Sequence, residues 1–167
     1  MMDDYLIEYE DYKNLPVKNL LDAISLSRGQ LLQDLKVRDL TYHNSLAIFP
    51  GQGVYIFREN KDAVYVGKVS SMSFTERIAK HFDFRNFAWM NGLIKAICSK
   101  KMALDINDDN LKLSSEYAFD NLNLVLINFT ERSKINRTER LLRSCMSPLN
   151  KFKYLKENDL EKILFEY

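Results

Sequence analysis

The chain reads as an α+β protein: a small, mainly antiparallel three-stranded sheet flanked by helices, behind an N-terminal helical extension. Three observations lead there. Residues 54–57 and 64–66 are short runs of β-branched and aromatic residues on either side of a polar turn, the pattern of a hairpin. Residues 122–129 form a third such run. Around them apolar residues recur at helical spacing, as with Phe74, Ile78 and Phe82 at i, i+4 and i+8.

The elements follow in order. Residues 16–40 carry Leu20, Leu21, Ile24, Leu31, Leu32 and Leu35 near helical spacing and predict one long helix, with Gly29 its weak point. Phe49-Pro50-Gly51 makes a turn. Reflected about Asn60, the hairpin pairs Arg58 with Asp62 and sets Tyr55 opposite Tyr65, with Glu59, Asn60 and Lys61 as its loop. Side chains alternate along a strand, so any register of this parity puts both phenols on one face. Gly53 and Gly67 share that parity and leave space beside the phenols for something to approach the sheet.

Residues 74–82 predict a helix whose apolar stripe is flanked by Arg77 and His81, which are four apart and point the same way. Glu76 and Lys80 make an opposite-charge pair at the same spacing. A second helix is expected over 85–101, a polar loop over 105–120, the third strand over 122–129, and a helix over 134–146 that stops before Pro148. Residues 1–45 are the helical extension and 46–167 the rest of a single compact domain, with no internal repeat or interdomain linker.

Composition narrows the class. At 46% hydrophobic residues the chain can build a core, which excludes a disordered tail. No apolar run approaches a membrane span, and the acidic opening MMDDYLIEYEDY lacks the basic character of a signal peptide, so a cytoplasmic protein is expected. Cys98 and Cys145 have no metal-ligand spacing and are expected to be reduced and mostly buried. The net charge of +1 hides an uneven distribution. Residues 51–104 hold nine Lys/Arg against four Asp/Glu, and residues 131–156 hold eight against two. Packed together, these segments form an anion-binding face; apart, they are an ordinary solvated surface.

The motifs then converge. "GVY" at 53–55, "YVG" at 65–67 followed by Lys68, and then Arg77 resemble the signature of the GIY-YIG nucleases, in the variant spelling of the excinuclease branch. "TERLLRSCMSPLNK" at 138–151 is similar to the family's later helix, with Glu139, Pro148 and Asn150 filling its glutamate, proline and terminal asparagine. His81, one helical turn after Arg77, is similar to the restriction-enzyme branch. The resemblance covers residues 50–150, and its strength is that weak motifs occur in the right order.

What the resemblance implies is a metal-dependent endonuclease that hydrolyses DNA phosphodiester bonds in restriction, defence or repair. Its catalytic set is Tyr55, Tyr65, Lys68, Arg77, His81, Glu139 and Asn150, with one Mg²⁺ or Mn²⁺ per site on Glu139. Arg77 suits the non-bridging phosphate oxygens. Tyr55 is a weak base unless perturbed, with Lys68 and the metal-bound water network the expected perturbers and His81 expected to accept or relay its proton. Lys68, Arg77, Arg137, Arg140 and Lys151 are the candidate nucleic-acid contacts. Partners are double-stranded or branched DNA, with RNA and a homodimer as further possibilities and no membrane. Two alternatives stay open: a non-catalytic nucleic-acid-binding module, and an RNA-cleaving enzyme. Glu139 also has a plain structural reading, an i, i+4 salt bridge to Arg143.

Overall fold

The computed structural model describes residues 4–150 of the chain. In chain order its elements are β1 (Leu6–Glu8), α1 (Val17–Leu26), β2 (Gln30–Leu31), the β3–β4 ribbon (Tyr42–His43, Leu46–Ala47), β5 (Gly53–Glu59) and β6 (Asp62–Val69). Then come α2 (Phe74–Lys80), α3 (Gly92–Ala96) continuing as a wider π turn over Ile97–Lys101, α4 (Asp108–Asn121), β7 (Leu122–Asn128) and α5 (Arg132–Cys145).

The fold is α+β, and its sheet is larger than the three strands expected. The antiparallel trio β7-β5-β6 is present, with β6 at one edge. To it the N-terminal region adds β1, parallel to β7, and β2, antiparallel to β7. Both faces of the sheet are covered. One carries Tyr55, Phe57, Leu124 and Leu126 against Phe74, Ile78, Leu93, Ile97 and Ala118 of α2 to α4. The other carries Val54, Ile56, Val66, Val125 and Ile127 against Leu20 and Ile24 of α1 and Ile135 and Leu142 of α5. This two-sided burial explains why β7 is buried at every position, without alternation.

Several local expectations are corrected. The long helix over 16–40 ends at Leu26. Gly29 takes a left-handed conformation (φ +71°), and a side chain there would meet Asn123 Oδ1 at 2.4 Å, so the chain turns sharply into β2. Leu32 and Leu40 then reach the core through short 3₁₀ turns. The helix over 85–101 begins only at Gly92. The polar stretch expected as a loop over 105–120 is mostly helix: Asn107 caps α4 by accepting from Asn110 N–H, and Leu111, Ser114, Ser115 and Ala118 make its buried stripe. Glu76 turns back to the N-terminus of α2, where Ser73 and Glu76 form a reciprocal capping box, instead of pairing with Lys80. Cys98 is buried, whereas Cys145 is exposed. Among the described residues, no helix is long and apolar enough to cross a membrane.

Arg58 anchors the sheet to α1. It is 1% exposed, and its guanidinium donates to Ile24 O (2.7 Å), Ser27 O (2.9 Å) and Asn123 Oδ1 (3.0 Å). The expected cross-strand pair with Asp62 is therefore replaced by a cation at the C-terminus of α1, where helix carbonyls favour positive charge.

Candidate functional site

The hairpin sets the site. Tyr55 lies opposite Gly67, and Phe57 opposite Tyr65. Past Phe57 the register shifts, so that Arg58 faces Ala63 and Glu59 faces Asp62. This corrects the simple reflection about Asn60: Val64 is the extra residue, and Asn60, with φ 56°, helps close a two-residue loop. Tyr55 and Tyr65 are diagonal neighbours, not opposite ones. They share a face all the same, as the parity argument requires.

The glycines serve the phenols themselves. A Cβ on Gly67 would lie 2.2 Å from both Cζ and the hydroxyl of Tyr55, and one on Gly92 would lie 2.7 Å from the Tyr65 hydroxyl. The space expected beside Tyr55 for an approaching group is filled by the Tyr55 ring. Tyr55 is 1% exposed, and burial holds its phenol well above the ordinary value, with Arg77 opposing. Burial also raises Tyr65, again against the charge of Arg77.

His81 sits between the two tyrosines. It was expected to flank the apolar stripe of α2, but it is fully buried just past that helix. Its ring packs edge-on to Tyr65 and Tyr55, with centroids 5.0 and 5.4 Å away. Nε2 is 2.7 Å from the Tyr55 hydroxyl, and Nδ1 accepts from Leu93 N–H at 3.1 Å. A ring nitrogen that accepts carries no proton, so in neutral His81 the proton is on Nε2. His81 therefore donates to the Tyr55 oxygen. In this tautomer Nε2 is a donor to Tyr55 and not an acceptor of its proton. Burial, then the Arg77 charge, keeps its pKa well below 6.5, so it stays neutral.

Arg77, half-buried on α2, places its guanidinium carbon 5.8 Å from the Tyr55 ring centroid and donates to Met90 O at 2.7 Å. Lys68 is elsewhere. It pairs with Val54, on the parity opposite to Tyr55, and its ammonium donates to Asn136 Oδ1 of α5 at 2.6 Å. Burial thus raises Tyr55 and Arg77 lowers it, while the Lys68 ammonium is turned to α5.

Glu139 is 4% exposed on α5, and its charge reaches both phenols. Arg143 Nη1 donates to its Oε1 at 3.0 Å, so the i, i+4 salt bridge is real. The same guanidinium holds Asn150 O at 2.7 Å through Nε. Asn150 spends its side-chain amide on the backbone of β6: Oδ1 accepts from Val66 N–H at 3.1 Å and Nδ2 donates to Val66 O at 2.6 Å. Its neighbour Leu149 donates its N–H to Val64 O at 2.9 Å.

Tyr55, Tyr65, Arg77, His81 and Glu139 therefore come together, with the Asn150 side chain bonded to Tyr65 as well as to the backbone of Val66, while Lys68 is engaged elsewhere. Gly92, the Leu93 N–H and, beyond its pairing with Glu139, Arg143 belong to the cluster and were missed. Only Arg143 left a trace in the sequence, through its spacing from Glu139. Among the remaining candidate contacts, Arg140 is exposed on α5, Arg137 is half-buried, and Lys151 lies outside the described residues.

Among the described residues no three His, Cys, Asp or Glu side chains are grouped to hold a metal. The donor set is Glu139 alone, with one oxygen on Arg143. A single carboxylate fits only a cation that keeps most of its water, not a tightly caged one. A cavity of about 700 Å³ opens near the N-terminal region, lined by Leu6, Ile7, Leu26, His43 and Ile48, and none of the residues above lines it. No family model matches the chain, and neither a curated protein nor a solved structure matches it.

Proposed function

We propose that this protein is a metal-dependent endonuclease of GIY-YIG type that hydrolyses DNA phosphodiester bonds in restriction, defence or repair. The observation that carries the reading is the Tyr55 hydroxyl, fixed by the Nε2 proton of His81 at 2.7 Å, beside the Arg77 guanidinium. Hydrolysis of a phosphodiester needs an oriented water and a cation against the developing charge. One arm of the Arg77 fork is held by Met90 O, which aims the rest of the fork and leaves donors for non-bridging phosphate oxygens. Tyr55 is protonated at neutral pH, so it acts as a hydroxyl that orients water. The Nε2 proton of His81 holds that hydroxyl oxygen in place. Tyr65 orients water or phosphate from the same face. Glu139 would hold the divalent cation, which when bound supplies charge neutralisation at the leaving oxygen.

A second reading has its own support. Burial of Tyr55 and His81, together with the Glu139–Arg143 bridge, suits a satisfied polar network in a non-catalytic nucleic-acid-binding module. The two readings separate on incubation with supercoiled plasmid, branched DNA and RNA, in Mg²⁺ or in EDTA. The nuclease reading expects metal-dependent nicking that Tyr55→Phe and Arg77→Ala each reduce by orders of magnitude. Binding without cleavage of any substrate supports the module, and cleavage of RNA alone reassigns the substrate.

A further inference from the structure

Residues 82–91, between α2 and α3, combine a tethered backbone with unsheltered rings. The tethers come from five side chains. Asn91 Nδ2 donates to Asp83 O and Arg85 O at 2.6 and 3.2 Å, and Arg77 donates to Met90 O. Lys95 donates to Ala88 O, Asp108 Oδ1 accepts from Asn86 N–H at 2.8 Å, and Asp83 Oδ1 accepts from Arg85 N–H at 3.1 Å. Yet Phe84, Phe87 and Trp89 are 48%, 75% and 86% exposed. A loop with this many anchors could have turned its rings inward; it holds them in water instead, and large exposed apolar surface of this kind marks an interaction site.

We propose that this segment is a stacking platform for unpaired bases, so that the substrate class is single-stranded or branched nucleic acid and not uninterrupted duplex. The proposal rests on the nucleic-acid reading above. Two observations choose this occupant. The six Lys/Arg of residues 77–101 meet three carboxylates, Asp83 on Arg85, Glu59 on Lys101 and Asp108 at Asn86, which leaves a basic excess that suits a polyanion better than an apolar protein or a bilayer core. The Arg85 guanidinium also lies 5.2 Å from the Phe87 centroid, the cation-and-ring pairing used on bases. Continuity with the candidate site is covalent and short. Arg77 ties the loop at Met90, and His81 accepts from Leu93 two residues beyond it. Stacking needs a free base face, which an intact duplex offers only at its ends.

Trp89 is the single tryptophan of the chain, so its fluorescence reports on the loop alone. The full chain in EDTA is titrated with a short single strand, the matching blunt duplex and a branched junction, and affinities are checked by anisotropy of labelled oligonucleotide. Single-stranded and branched DNA are expected to quench Trp89 and the duplex to leave it unchanged. Trp89→Ala and Phe87→Ala should each weaken single-strand binding by roughly 5- to 150-fold, with melting temperature and duplex affinity unchanged. Unchanged single-strand affinity in both variants overturns the platform, as does equal quenching by duplex. Loss of self-association in the variants, with DNA binding intact, assigns the rings to a second copy and also overturns it. Cleavage of the single strand or of the junction in Mg²⁺ separates the two claims. Cleavage with Trp89 uninvolved sinks the platform alone, stacking without cleavage sinks the nuclease alone, and no binding at all sinks both.

Discussion

Neutral His81 is built into the fold, and stability should record that as a dependence on pH. The perturbation is protonation at Nδ1, which would turn an acceptor into a donor facing the Leu93 N–H, in a fully buried ring near the Arg77 charge. The unfolded chain binds that proton at the ordinary value of 6.5, and the folded chain only far below it. Below 6.5 the unfolded state therefore holds more protons, so stability is full above that pH and falls as pH drops through the window beneath it. The slope approaches about 1.4 kcal/mol per pH unit, and the loss between about pH 8 and about pH 5 integrates to about 2 kcal/mol. For a chain of this size that is about 4–8 °C in Tm. Urea unfolding across this range, on wild type and His81→Gln, isolates the effect. Gln keeps a donor for the Tyr55 oxygen and cannot titrate, while the carboxylates contribute equally to both proteins. The wild-type advantage should shrink by about 2 kcal/mol toward the acid end. Parallel curves for the two proteins would refute a buried neutral histidine.

Further outcomes test other parts of the site. Gly67→Ala puts a Cβ 2.2 Å from the Tyr55 ring and hydroxyl, so it should cost about 1–3 kcal/mol and break the Tyr55–His81 bond; native stability and activity in this variant would contradict the packing. Arg58→Met strips the donor from three acceptors, two of them buried, and should cost about 2–4 kcal/mol in urea unfolding, and a cost below about 0.5 kcal/mol would show the anchor to be dispensable. Glu139→Gln leaves Arg143 without its anion yet nearly keeps the shape, so the fold should survive while nicking in Mg²⁺ falls by orders of magnitude. Near-normal nicking by that variant removes Glu139 from the site and leaves it a structural partner of Arg143.

The legible parts of the fold were those with a strong hydrophobic period. Phe74 and Ile78 announce α2, and the alternation along β5 and β6 put Tyr55 and Tyr65 on one face in spite of a wrong register. The bulge at Val64 has no signature of its own, because Val64 fits a strand whether paired or extra. Helix α4 hid because its buried stripe includes Ser114 and Ser115, small polar residues that do not register as apolar. Strand β1 hid because three residues paired parallel to a strand far along the chain leave no local pattern. For the site, residue types and spacing made the cluster readable but not its roles. The proton on His81 Nε2 depends on a backbone N–H at Leu93, and no side-chain motif encodes that contact.

The amide of Asn150 has a consequence outside any chemistry of the site. Strand β6 is the last strand on its side of the sheet, and a bare strand edge is a template on which another molecule can add its own strand. Asn150 imitates a peptide group, giving and taking one hydrogen bond at Val66, and Leu149 supplies a further donor at Val64. Arg143 and Lys100 clamp this two-residue cover through the carbonyls of Asn150 and Leu149. Leu149 and Asn150 therefore close the middle of that edge to a further strand, so Asn150→Ala should bare Val66 and make edge-to-edge association easier.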